Sequence, residues 1–328
     1  MLKIRLSVLA LASLLAVQPV SALTIAENFA TDPAARGWAV FGDTNLFAWN
    51  ATNQNLAVTW DSSKPNSYFH HPLGMTVTSA SNFMLSVDFT LQNIATGINP
   101  DKPYTFQIAI GLHHHATATE SGFVIGSGYQ APNLVELNYF PDAGQGASVT
   151  TLMISSANEF DYVSTDPLEL VPGAHYQAVL VYTAADQTLR TTLASNGIPI
   201  GPINENRHNP DLGDFAVDTI AIASYNEEGQ DTNEYGGIVY AGSILAHGTV
   251  NKIAFASPLP VDKISAPAPG AVQFTGVTDW NYVLERTVDL RNWIPVTAPT
   301  PGSAGPLTLT DTNPPGGSAY YRVRAQLP

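Results

Sequence analysis

The stretch Phe83-Met84-Leu85-Ser86-Val87-Asp88-Phe89-Thr90-Leu91 alternates apolar and mostly polar side chains. Successive side chains of a β-strand point to opposite faces, so this period of two predicts a strand with one buried face. The same alternation recurs in residues 55–60, 104–110, 135–139, 176–183, 188–193, 215–224 and 248–255. Many short strands separated by Gly, Pro, Asn and Asp predict an all-β sandwich or barrel, and about 235 residues is a normal size for one.

A change of composition after Ser257 predicts a second domain. Four prolines, Pro258, Pro260, Pro267 and Pro269, fall close together among Ala, Ser and Gly, which predicts an extended linker over residues 258–270. Short strand candidates follow at 272–274, 281–286, 293–297, 307–310 and 320–324. The sequence therefore predicts a sandwich over residues 23–257 and a small β-module over residues 271–328.

The first 22 residues have the pattern of a secretory signal peptide. Lys3 and Arg5 precede an apolar stretch over residues 6–17, and Val20-Ser21-Ala22 offers small residues for cleavage. The stretch is too short to span a bilayer, for which a helix needs about 20 apolar residues. We therefore expect the working protein to begin near Leu23 and to be secreted or held in the cell envelope, in the periplasm or at the outer surface.

Composition narrows the function further. The 328 residues include no Cys, which excludes thiolate metal sites and thiol nucleophiles. The chain has a net charge of −14; the tail from residue 258 is neutral, so residues 23–257 carry −16. Such charge disfavours nucleic acid and anionic lipid as partners and leaves neutral polymers and cations. The sequence signatures of serine hydrolases, zinc proteases and P-loop nucleotide-binding proteins do not occur.

Several segments carry a resemblance to a known superfamily. They are residues 27–33 with Gly37-Trp38, then Trp49-Asn50, the stretch Asn133 to Asp142, and the closing stretch 242–253. Through these stretches, segment 24–256 resembles the concanavalin A-like lectin/glucanase (laminin-G-like) superfamily, in a form common in exported verrucomicrobial and planctomycete proteins. The resemblance implies a jelly-roll sandwich whose opening and closing strands pair. Residues 282–293 and 311–324 resemble a small C-terminal β-module of exported proteins from the same bacteria.

The resemblance also gives a test for catalysis. Laminarinase-type glucanases of this superfamily place acids at alternate positions of one strand, whereas the series here reads Glu136, Asn138, Phe140. A retaining hydrolase needs two carboxyl groups about 5 Å apart, and this strand supplies one. We therefore expect no glucanase activity and assign no catalytic residue.

Glycan binding requires less than catalysis. Sugars offer CH faces to aromatic rings and hydroxyls to amides and carboxylates. If the strands share a sheet, alternation places Asp88, Gln107, His113, Glu136 and Asn138 on one polar concave face, the usual ligand face of the superfamily. A merely solvated face would show the same alternation.

Two clusters suggest metal binding. His113 and His115 would share a face if their strand continued, although no third ligand at zinc-site spacing is evident. An acidic loop is a candidate calcium site, with oxygen ligands from Asn226, Glu228, Asp231 and Glu234. It does not fit the EF-hand pattern, and a solvated acidic loop explains the same residues. We expect no organic cofactor.

Three functions are consistent with these observations. The first is an exported, non-catalytic carbohydrate-binding protein. The second is a glycoside hydrolase or polysaccharide lyase on the same scaffold, in which His70, Gln107, His113 and Tyr139 would act. The third is a structural or adhesive envelope protein whose tail docks to a partner.

Overall fold

The computed structural model describes residues 23–96, 108–125, 130–141, 146–208, 211–226, 244–259, 261, 263–278, 280–303 and 305–326. The predicted signal peptide, residues 1–22, lies outside the described residues. Within the ranges given, no helix is long and apolar enough to cross a membrane.

The described part of residues 23–257 consists mainly of strands joined by turns. The strands are β1 Leu23–Glu27, β2 Ala39–Phe41, β3 Phe47–Asn50, β4 Asn55–Asp61, β5 Ser67–Thr78, β6 Phe83–Thr96, β7 Ile108–His113, β8 Leu134–Phe140, β9 Ser148–Ile154, β10 Phe160–Thr165, β11 His175–Thr183, β12 Thr188–Ser195, β13 Ile198–Arg207, β14 Ala216–Ser224 and β15 Ile244–Ser257. Helical structure in the described part comprises α1, His115–Ala118, and two 3-10 turns, Pro33–Arg36 and Thr44–Leu46.

These strands form two antiparallel sheets. Sheet A has the order β13-β12-β11-β6-β15-β4-β3, and β1 also pairs with β15. Sheet B has the order β10-β9-β8-β7-β14-β5-β2. Leu23 lies opposite Ser257 and Glu27 opposite Ile253, so the opening and closing strands pair as expected. The predicted all-β sandwich is confirmed.

The main core lies between the two sheets. Sheet A contributes Leu85, Val87 and Phe89 from β6, and sheet B contributes Val135 and Leu137 from β8. The apolar members of both alternating series therefore face inward, as their period of two predicts.

Sheet B is also covered on its outer face. Helix α1 and residues 119–125, 130 and 131, together called the cover segment here, supply Ala118, Phe123, Ile125 and Ala131 to a second apolar cluster. This cluster packs on Ala109 and Leu134 of the sheet, among others. Strand β7 is consequently buried along its whole length, and β8 from Leu134 to Tyr139. The sheet is thus enclosed on both faces around its central strands.

The tail is a small β-module that packs against the sandwich. Its strands are β16 Ile264–Ala268, β17 Ala271–Gly276, β18 Asn281–Thr287, β19 Ile294–Pro295, β20 Thr300–Pro301, β21 Gly305–Thr310 and β22 Tyr320–Gln326. One sheet runs β16-β17-β21; in the other, β18 lies between β19 and β20 and also pairs with β22.

The module begins earlier than predicted. Residues 264–268, which fall inside the predicted linker 258–270, form β16, and Ile264 pairs with Phe274 of β17. Part of the predicted linker therefore belongs to a sheet, in which β16 is an exposed edge strand, and such a strand tolerates proline. Trp280 fixes the module to the sandwich: its Nε1 donates to Thr24 Oγ1 at 3.1 Å, and its ring shares a cluster with Ala256.

Candidate functional site

The residues predicted to form one polar face lie on two different sheets. Asp88 is on β6 of sheet A, where its carboxylate accepts a hydrogen bond of 3.0 Å from Gln177 Nε2. His113, Glu136 and Asn138 are on sheet B. The shared face was a wrong prediction, because β6 pairs with β11 and β15 rather than with β8. The fifth residue, Gln107, lies outside the described residues.

The three residues on sheet B do share its outer face, but they are not open to solvent. His113, Glu136 and Asn138 are each 0% exposed. The expectation of a solvent-facing polar surface here was wrong because the cover segment packs over it. A signal for this was present in the sequence, since the apolar run Phe123-Val124-Ile125 lies in a region without strand alternation.

Glu136 is held as a buried carboxyl group. Its Oε1 accepts a hydrogen bond of 2.5 Å from the hydroxyl of Tyr225. Gly111 lies opposite Glu136 in the ladder, and a Cβ at Gly111 would come within 2.5 Å of Glu136 Cγ and 2.2 Å of Val135 O. Burial raises the pKa of Glu136 to about 8, against a weaker lowering effect of the Tyr225 hydrogen bond. The group is therefore a neutral acid at neutral pH.

The imidazole rings of His70, His113 and His115 lie side by side, and His115 is the first residue of α1. The ring centroids of His70 and His115 are 4.3 Å apart in a stacked arrangement, and those of His113 and His115 are 5.8 Å apart. Burial, followed by the neighbouring histidines, lowers the pKa of His113 to about 3 and that of His70 to about 4. Both rings are consequently neutral at neutral pH.

Metal binding finds no ready-made site in the described part of the chain. Across the ranges given above, no group of three or more His, Cys, Asp or Glu side chains could hold a metal ion. The His115 ring stacks on His70, and the ring of His113 is tilted by 32° relative to that of His115. Of the predicted calcium ligands, Glu228, Asp231 and Glu234 lie outside the described residues. Asn226 is described, and its backbone N–H donates to Asn66 Oδ1 at 2.8 Å. Calcium binding by this loop stays a prediction.

An open cleft of about 480 Å³ lies beside the β5–β2 edge of sheet B. Its walls come from the end of β2, the turn before β5, the cover segment and the second residue after β14. The lining residues that matter chemically are Phe41, Asn66, Thr119, Glu120, Ser121 and Asn226. Apart from Asn226, which was predicted only as a metal ligand, sequence reasoning missed these residues. They come from segments far apart in the chain, and no spacing pattern marks them.

Hydrogen bonds join the walls of the cleft to one another. The Asn66 amide donates to Phe123 O at 2.9 Å and accepts from the backbone of Asn226 at 2.8 Å, so one side chain connects three segments. The Tyr68 hydroxyl donates to Ala118 O at 3.0 Å and thereby holds the end of α1. The cleft is therefore built from fixed elements rather than from a loose loop.

Gly42 permits the close approach of two of these walls. Its φ of +83° lies in the left-handed region, and a Cβ there would come within 2.6 Å of Asn66 O and 2.5 Å of Ser67 Oγ. A larger residue would force the end of β2 away from the turn before β5.

The cleft combines one aromatic wall with polar groups. The half-buried ring of Phe41 stacks on Tyr68, with centroids 5.6 Å apart. Glu120 and Ser121 are exposed and line the same cleft as Asn66. An aromatic face beside a carboxylate, a hydroxyl and amides suits a ligand with both CH faces and hydroxyls, and the volume falls within the usual range for small-molecule sites.

The structure defines a two-sheet β-sandwich with a covered outer face, a rim cleft and an appended β-module. It is similar to solved structures of legume lectins and of a legume lectin-like domain. Lectin II from Ulex europaeus is 14% identical over 72% of this chain and 99% of its own, with a TM-score of 0.47. Peanut lectin is 13% identical over 72% and 97%, with a TM-score of 0.44. A legume lectin-like domain from Entamoeba histolytica is 10% identical over 70% and 95%, with a TM-score of 0.42. No protein-family model matches the sequence, and no curated protein sequence matches it.

Proposed function

We propose that this protein is an exported, non-catalytic carbohydrate-binding protein that holds a glycan in the cleft beside β2. The observation that carries the proposal is the cleft itself, where the Phe41 ring faces the same space as Glu120, Ser121 and Asn66. In this arrangement a sugar ring stacks on Phe41 while its hydroxyls bond to the rim.

Charge and location support the same proposal. The charge of −16 over residues 23–257 repels anionic ligands and favours neutral glycans. The signal-like leader directs the protein out of the cytoplasm, and polysaccharides are accessible to it there, outside the cell membrane. Asn226, one of the predicted calcium ligands, lines the cleft, so calcium bound by it would support one wall.

The geometry disfavours the hydrolase and lyase alternatives. Glu136 is fully buried and bonded to Tyr225, so a substrate in solvent does not reach it. Tyr139 belongs to the core between the sheets, on the opposite face of sheet B from His113. The tyrosine and the histidine therefore do not converge on one substrate position.

The structural or adhesive alternative draws on the surface of the tail module. Val288, Leu290, Ile294 and Tyr320 are exposed apolar side chains there. A docking role for the module predicts that Ile294→Asp releases the protein from the cell surface, which fractionation of the producing cells would detect. Glycan binding through the cleft predicts no such release.

A glycan-array screen of the mature chain, residues 23–328, tests the proposed function. We expect specific binding of neutral glycans in calcium, weakened by a chelator. Phe41→Ala and Glu120→Gln should weaken that binding about tenfold, the effect of losing one stacking or charged hydrogen-bonding contact. Phe41→Tyr, which keeps the ring, and Glu169→Gln, an exposed acid outside the cleft, serve as matched controls. A folded sample that binds no glycan with or without calcium would overturn the proposal.

A further inference from the structure

Two aromatic side chains are exposed on the edge strand β10. Phe160 is 40% exposed and Tyr162 is 54% exposed. Their ring centroids are 5.8 Å apart, and the ring planes differ by 15°, so the rings form a nearly parallel pair. Large exposed apolar groups that lie together on a surface commonly mark a binding site.

The strand register places the pair on the outer face of sheet B. Phe160 lies opposite Ile154 and Tyr162 opposite Leu152, both of which face the second apolar cluster. Next along the same face, the exposed Ser164 has its Oγ 2.8 Å from Thr150 Oγ1. The outward positions of β9 and β10 are all uncharged: Ser148, Thr150, Leu152, Ile154, Phe160, Tyr162 and Ser164.

An added peptide strand does not fit this edge. Asn204 of β13 already bonds to β10, since its Nδ2 donates to Val163 O at 3.4 Å and its Oδ1 accepts from Thr165 Oγ1. A peptide that extends a sheet needs the main-chain groups of the edge strand. The remaining surface is a pair of flat rings beside hydroxyl groups, without charge, on a strongly acidic protein.

We propose that the outer face of β9 and β10 is a second carbohydrate-binding surface, on which a neutral polysaccharide chain lies with its sugar rings stacked on Phe160 and Tyr162. The hydroxyl of Ser164 then bonds to the chain beyond the rings. This surface is at the β10 edge of sheet B, whereas the cleft is near the opposite edge at β2. The proposal is therefore independent of ligand binding in the cleft.

Affinity electrophoresis of the mature chain in gels containing neutral polysaccharides tests the proposal. Suitable probes are laminarin, hydroxyethyl cellulose, xyloglucan and galactomannan, with alginate as an anionic comparison. The variants are Phe160→Ala, Tyr162→Ala and the double variant. Tyr162→Phe keeps the ring, and Tyr320→Ala removes an equally exposed aromatic group from the tail module. Because the altered side chains are exposed, thermal unfolding should be unchanged and report intact folding.

We expect at least one neutral polysaccharide to retard the wild-type protein, with about a tenfold loss of affinity in the double variant. Tyr162→Phe and Tyr320→Ala should behave as the wild type. Equal retardation of the double variant, or no retardation by any neutral polymer, would overturn the proposal. So would sedimentation velocity showing a dimer that the double variant abolishes, because a second copy would then occupy the surface.

Discussion

Replacing Glu136 by glutamine isolates the effect of one buried carboxyl on the stability of the fold. Glutamine has nearly the same shape and still accepts the hydrogen bond from Tyr225, but it cannot ionise. Wild type and variant therefore differ chiefly in whether unfolding at a given pH releases a proton. The variant keeps the packing against Gly111 and under the cover segment.

The magnitude follows from the two pKa values of the group. In the unfolded chain the carboxyl loses its proton near pH 4.5, whereas in the folded chain burial raises its pKa to about 8. Between these values the folded state binds more protons, so the free energy of unfolding falls as pH rises. The lowered pKa values of His70 and His113 act in the opposite direction, but only below about pH 6.5. From pH 6.5 to 8 the carboxyl alone should lower the free energy of unfolding by about 2 kcal/mol.

Urea unfolding followed by tryptophan fluorescence at pH 6.5, 7, 7.5 and 8 measures this difference. The free energy of unfolding of the wild type should fall by about 2 kcal/mol more than that of Glu136→Gln over this pH range, with equal m-values. Asp88→Asn, which removes a half-buried acid on sheet A, serves as the matched control substitution. If the free energy of unfolding depends on pH in the same way for the wild type and Glu136→Gln, the reasoning is refuted, because the carboxyl would then ionise alike in the folded and unfolded states.

Two other substitutions probe buried charge. Glu27 is buried and accepts a hydrogen bond from Arg36 Nε at 3.0 Å, so Glu27→Gln should lower the free energy of unfolding by about 2 kcal/mol. Glu205→Gln, at the exposed ion pair with Arg190, should lower it by less than about 0.5 kcal/mol. Urea unfolding at pH 7 measures both losses, and equal losses would contradict the argument from burial. The lowered pKa of His113 makes the unfolded chain bind a proton more readily than the folded one below about pH 6.5, so acid favours unfolding. His113→Leu removes this effect, and the pH midpoint of acid unfolding, followed by circular dichroism, should therefore be lower in the variant. An unchanged midpoint would show that His113 does not take up a proton on unfolding.

Sequence reasoning predicts best the strands whose two faces differ. β6 and β8 were found from alternation, and their apolar members do face the main core. β9, Ser148–Ile154, was missed because its first half is rich in hydroxyl side chains on both faces. β5 was missed because His70, His71 and Pro72 interrupt its pattern. Alternation also gives no information on which strands pair, so it could not separate Asp88 from Glu136.

The candidate site was the harder part to predict, because burial of a polar side chain depends on segments distant in sequence. Glu136 and Asn138 occupy outward positions that alternation identified correctly, yet the cover segment encloses them. The cleft depends on Asn66, Phe123 and Asn226 meeting through hydrogen bonds. No local sequence pattern around these residues predicts that they come into contact.

The buried carboxyl also determines where a ligand can bind. At neutral pH Glu136 is protonated and bonded to Tyr225, so it helps to position the residue that precedes Asn226 rather than offering a charge to substrate. The cover segment denies solvent access to the centre of sheet B, and both proposed ligand sites lie at its margins, at the cleft beside β2 and at the face of β10. It follows that substitutions in Thr119, Glu120 and Ser121 should change glycan selectivity, whereas substitutions beneath the cover should change stability first.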